Sequence, residues 1–109
     1  MLKTVIEIPY KDSVTRQYQL KENGAAVVIT GQTLIFYLEK KSGSGFTAIE
    51  KDIGLSGWFD EPGNGTFHII IDTDVYVMPV GNYRAEIEWV NRKTSLVFFD
   101  ILVIEDVRH

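Results

Sequence analysis

Asp72-Thr73-Asp74 has the form of a metal-binding D-x-D. It falls where a strand ends, and an Asp in that position caps a turn with its own carboxylate, so a turn cap is the expected role. Asp60-Glu61-Pro62-Gly63-Asn64-Gly65 has the outline of a calcium loop. An EF-hand would need an oxygen ligand where Pro62 stands and a bidentate Glu where Ile71 stands, and the chain has neither. Of the two histidines, His109 is the last residue and His68 lies mid-strand. A Ser-His-Asp arrangement would need a serine facing His68, and nothing in the sequence positions one, which leaves a solvent-facing strand histidine. Ser42-Gly43-Ser44-Gly45 lacks the Gly-Lys-Ser/Thr ending of a phosphate loop. Asn64-Gly65-Thr66 is formally a glycosylation sequon, without meaning in the absence of a secretion signal. Trp58-Phe59 could stack on a sugar ring, but beside a turn such a pair is expected to open a strand and pack inward. No acid–base pair or ligand cluster emerges, so the expectation is a non-enzymatic protein with no metal and no cofactor.

The chain that positions these residues is 109 long with no cysteine, which removes disulfides and cysteine-based zinc sites. Its 45% hydrophobic and 24% charged residues describe an ordinary globular protein. A net charge of −4 and a pI near 5.1 argue against binding nucleic acid through phosphate neutralisation. Met1 to Tyr10 lacks the apolar run of a signal peptide, and no segment is long enough to cross a bilayer, so synthesis in the cytoplasm is expected.

Period-two alternation dominates the sequence. Tyr83, Ala85, Ile87 and Trp89 alternate with Arg84, Glu86, Glu88 and Val90, the pattern of a strand with one face on a core and the other in water. Gly81 ahead of it releases the backbone into a turn, and Tyr83 brings a ring to bury and a hydroxyl that needs a partner. Strand entries of this kind occur at the corners of immunoglobulin-like sandwiches. Further strands are expected at Leu2 to Pro9, with Thr4, Ile6 and Ile8 on one face; at Val14 to Leu20, interrupted by Arg16; and at Gln32 to Lys41. Thr66 to Ile71 and Thr94 to Glu105 add two more, and Phe46 to Ile53 reads as an edge strand. Glu22-Asn23-Gly24 and Thr30-Gly31 are turns, Asn91-Arg92-Lys93 joins the last two strands as a hairpin, and Gly57 to Gly65 is dense in turn residues. One helical turn is expected near Val75 to Met78. The whole reads as a single domain over residues 1–109, an all-β, immunoglobulin-like antiparallel sandwich of about seven strands.

The order of these signals resembles a known family. Asn23 to Gly31 looks like the turn that opens many small phage virion domains, followed by a strand ending in Lys40. Gly65-Thr66-Phe67-His68-Ile69, Asp72-Thr73-Asp74 and Gly81-Asn82-Tyr83-Arg84-Ala85-Glu86 look like the second half. Together, over roughly residues 12 to 105, the chain is similar to the N-terminal immunoglobulin-like domain of the phage baseplate upper protein family. Members usually carry Asp where Val28 stands, often place Asp-Gly where Asn91-Arg92-Lys93 stands, and are often extended by shaft or receptor-binding regions. The resemblance implies a structural part of a tail, baseplate or head accessory in a virion assembled in a bacterial host, working through protein contacts. A carbohydrate-binding module on the same scaffold, using Trp58 and Phe59, is the other class left open.

Two strands carry apolar residues on both faces. Phe98, Leu102 and Ile104 oppose Val97, Phe99, Ile101 and Val103, while Ile35 and Tyr37 oppose Leu34, Phe36 and Leu38. A sandwich buries one face of each sheet, so Ile35, Tyr37, Phe98, Leu102 and Ile104 are the candidate interface, covered by another copy or by another virion protein. The competing reading covers them within the monomer, by a loop or the Val75 to Met78 turn. Asp100 shares their face and is expected at the rim or against a partner's Lys or Arg.

Overall fold

The computed structural model describes residues 5–41, 43 and 45–105; Leu2 to Thr4 of the expected first strand, Ser42 and Ser44 of the loop, and His109 lie outside them. Among the described residues two sheets stack. The larger contains β1 (Val5–Pro9), β5 (Leu34–Lys40), β6 (Ile49–Asp52), β9 (Gly81–Trp89) and β10 (Thr94–Ile104), in the order β1-β10-β9-β5-β6. The smaller contains β2 (Ser13–Gln19), β7 (Phe59–Glu61) and β8 (Thr66–Asp72), in the order β2-β8-β7. A short hairpin of β3 (Lys21–Glu22) and β4 (Ala25–Ala26) turns at Asn23 and Gly24, both at positive φ.

Alternation decides what is inside. Ile6 and Ile8, Leu34, Phe36 and Leu38, Tyr83, Ala85, Ile87 and Trp89, and Phe99, Ile101 and Val103 line the inner face of the large sheet. Phe67, Ile69 and Ile71 face them from β8, and Ile29, Ile53 and Met78 fill in from the connections. Each of the larger aliphatic and phenylalanine side chains contributes about 1.5–3 kcal/mol by leaving water. In β10 a bulge between Ser95 and Val97 shifts the register by one residue. Beyond it Val97 pairs with Ile87 and the odd-numbered residues turn inward, which leaves Phe98, Asp100, Leu102 and Ile104 outward.

The sandwich is all-β, but not wholly antiparallel. β1 runs parallel to β10, from Val5 beside Asp100 to Pro9 beside Ile104. A parallel neighbour needs a long return connection, and here nearly the whole domain lies between the two strands. The chain leaves β1 through Lys11 at φ 72 and crosses to the other sheet as β2, so no hairpin forces an antiparallel partner. Thr73 holds this crossing: fully buried, it donates its hydroxyl to the carbonyl of Asp12 at 2.8 Å. A second departure from expectation is β7, a three-residue strand inside the turn-dense Gly57 to Gly65 segment.

Tyr83 lies at the start of β9, completely buried, and donates its hydroxyl to the carbonyl of Pro79 at 2.5 Å. Gly81 opens the strand at φ 153, and Gly31 takes φ 76 in the turn before β5. The Asn91-Arg92-Lys93 hairpin is a short 3-10 turn ending at Lys93 with φ 50.

Candidate protein-contact face

The outward residues of the large sheet form rows set by its register. Glu50, Tyr37, Glu86 and Phe98 follow one another across β6, β5, β9 and β10. One row along, Asp52, Ile35 and Glu88 are neighbours; in the other direction come Glu39, Arg84, Asp100 and Val5. Leu102 stands between Asn82 and Glu7, and Ile104 beside Pro9. The five candidate residues thus share one face, but they fall into two apolar columns separated by the charged column of β9. Phe98 is 62% exposed, whereas Ile35, Tyr37, Leu102 and Ile104 are half-buried.

Sequence reasoning assigned Arg84, Glu86 and Glu88 to a solvated face without placing them between β5 and β10, where Glu86 separates Tyr37 from Phe98. Alternation gives the face of each residue, and only the pairing register gives its neighbour. The carboxylates change the chemistry of the face. Tyr37 donates its hydroxyl to Glu88 at 3.3 Å. Loss of hydration, followed by the negative charges of Glu88 and Glu50, pushes that hydroxyl above its usual pKa. Asp100 was expected at the rim or against a partner's cation; Lys41 of the same chain lies 3.4 Å away.

The Val75 to Met78 turn does not account for covering these residues. Met78 is buried in the core, Tyr76 donates its hydroxyl to the Ile70 carbonyl of the smaller sheet, and the Lys51 ammonium lies 5.9 Å from the Tyr76 ring. The turn therefore closes the side of the sandwich near β6, with Val75 and Val77 exposed.

The other candidate chemistries resolve into structure. Asp72 accepts hydrogen bonds from the backbone N–H groups of Asp74 and Val75, both at 3.0 Å, so its carboxylate caps the turn. His68 is half-buried, its Nδ1 2.8 Å from Asp60, which also accepts from Gln17 at 3.3 Å. Asp60 thus holds the imidazole as a structural partner. Trp58 and Phe59 are half-buried against the core, Trp58 edge-on to Phe36 with centroids 6.3 Å apart. Among the described residues no group of three or more His, Asp or Glu side chains is placed to hold a metal ion. Dialysis against EDTA should accordingly leave the melting temperature unchanged within about 1 °C, since metal stabilises only where it binds the folded state; a clear drop would return Asp72 and Asp74 to the status of ligands.

No family model matches the sequence, and no curated protein matches it. Among solved structures, the chain is similar to the N-terminal domain of phage TP901-1 ORF48, with a TM-score of 0.61 and 20% identity, over 94% of this chain and 86% of that one. At that identity the likeness establishes a common fold, and the sandwich described above is the fold shared with that phage domain.

Proposed function

We infer that this protein is a non-enzymatic structural component of a phage or prophage virion, in the tail, baseplate or a head accessory, acting through protein–protein contacts. The observation that carries the reading is the outer face of the large sheet, where Phe98 projects into solvent from a strand that is apolar on both sides. A large exposed aromatic on an outer sheet face suits a contact surface, and most of a binding energy resides in a few such anchors. The fold shared with a phage domain supports the same reading. No helix of the described residues is long and apolar enough to cross a membrane, and the proposed location is the virion. The partners proposed are other virion proteins or further copies of this chain, through Ile35, Tyr37, Phe98, Leu102 and Ile104.

Two experiments test it. Mass spectrometry of purified particles should find the protein at a fixed stoichiometry, and its absence from particles would end the structural reading. Phe98→Lys should leave stability within about 0.5 kcal/mol of wild type, as for other exposed positions, while preventing incorporation into particles. Phe99→Lys, one residue along and buried, should not fold, because an unpaired ammonium in the core is too costly to retain. Normal assembly of the Phe98→Lys protein would remove this face as the contact.

A further inference from the structure

Resting on the structural role proposed above, we propose that the outer face docks a protein surface bearing lysine or arginine, one such side chain lying between Tyr37 and Phe98 above Glu86. A second copy of this chain set face to face is not the occupant.

The register supplies the geometry. Tyr37 and Phe98 are the two neighbours of Glu86, one on each adjoining strand. Two strand spacings set their backbones about 10 Å apart. A cation standing above Glu86 has an aromatic side chain on each adjoining strand, and contacts of a cation with a ring extend to about 6 Å from its centroid. Beneath it, half-buried Glu86 has no hydrogen-bond or ion-pair partner among the described residues. A depression of about 190 Å³ opens from Glu86 past Tyr37 towards β6, lined also by Glu39, Ala48, Ile49 and Arg84. Glu50 and Glu88 flank Tyr37, and Asp52 continues the negative border beside Ile35. Against these carboxylates the adjoining row carries Arg84, while Lys41 is engaged by Asp100. A planar guanidinium satisfies both demands of such a place, offering its faces to the rings and its N–H edge to the carboxylate.

Charge also decides against the face-to-face copy. Pairing this face with itself brings Glu50, Asp52, Glu86 and Glu88 of two molecules into one contact, an excess of negative charge that Arg84 and Lys41 of each offset only in part. Like charges brought together in a desolvated contact oppose association. The apolar columns of Ile35 and of Phe98 and Leu102 then supply buried area on either side of the cation, as in an interface with an apolar centre and a charged anchor.

The test uses the isotopically labelled full chain and three blocked octapeptides with alternating leucine: one with arginine, one with citrulline and one with glutamate at the intervening positions. Amide resonances are followed through the titrations. The arginine peptide should move Tyr37, Arg84, Glu86, Glu88 and Phe98 and leave Gln17 and His68 of the opposite sheet in place. Citrulline keeps the shape without the charge and should bind at least about tenfold more weakly, as should the arginine peptide to Glu86→Gln. Asp60→Gln, an equal charge change on the other sheet, should leave the affinity unaltered. Equal binding of the arginine and citrulline peptides, shifts centred on the smaller sheet, or an unaffected Glu86→Gln protein would each overturn the proposal. So would shifts at Tyr37 and Phe98 that depend on protein concentration alone, which would give the face to a second copy. The particle measurement is independent: a protein present in virions but indifferent to the arginine peptide keeps its structural role and loses the basic partner.

Discussion

Tyr83→Ala is expected to lower stability by roughly 3–5 kcal/mol, the range for truncating large buried aromatics. The ring is fully buried and meets Phe46 edge-on at 5.0 Å between centroids, so its removal opens a cavity that the rigid sheet cannot close. Tyr83→Phe isolates the hydroxyl and should cost about 1 kcal/mol, the usual net worth of a single hydrogen bond. Arg84→Ala, exposed on the opposite face, should stay within about 0.5 kcal/mol of wild type. Denaturant melts giving Tyr83→Ala and Arg84→Ala equal effects would mean that β9 is oriented the other way. The hydroxyl also carries a pH signature. Burial pushes its pKa up to about 12, against about 10 in an unfolded chain. The folded state therefore resists ionisation that the unfolded state accepts, so this stability is intact below pH 10 and is lost as pH rises towards 12. Tyr83→Phe should show a shallower loss over that window than wild type.

Gly65→Ala is the second large effect. Gly65 takes φ 71 after the short turn Pro62–Asn64, a conformation that costs a residue with a Cβ about 1–2 kcal/mol. The added carbon would stand 2.5 Å from the carbonyl oxygen of Val27 and 2.9 Å from that of Leu20. Both are backbone atoms of a hydrogen-bonded stretch, the Leu20 carbonyl accepting from the Val27 N–H and the Leu20 N–H donating to the Gly65 carbonyl, so neither moves without disturbing that ladder. Strain of this kind adds about 1–3 kcal/mol, for a total of roughly 2–5 kcal/mol by thermal or urea unfolding. Gly24→Ala is the control: φ there is 80, but nothing lies within 4 Å of the new carbon, so only the cost of about 1–2 kcal/mol for the backbone remains. Equal losses for the two variants would show that the close approach at Gly65 contributes nothing.

Much of the architecture was legible in residue types because alternation is a local property. The inward sets of β5, β9 and the far half of β10, and the capping role of Asp72, follow from period and turn chemistry at single positions. What escaped has in each case a longer range. β7 is three residues long and lies among Gly57, Pro62, Gly63 and Gly65, where turn signals outweigh strand signals and only pairing with β8 makes it a strand. The parallel union of β1 with β10 depends on partners nearly a hundred residues apart. The candidate face was half legible: parity put Tyr37 and Phe98 outward, but Glu86 came to lie between them through register across three strands.

That same parallel union governs how the domain would respond to tension. Because β1 and β10 point the same way, a pull on the chain ahead of Val5 and another beyond Ile104 act in opposite directions along the two strands. The five paired positions from Val5 to Pro9 are then loaded together in shear, whereas an antiparallel terminal pair would be peeled apart one bond after another. A module joined to its neighbours at those two points would carry mechanical load through the whole ladder at once.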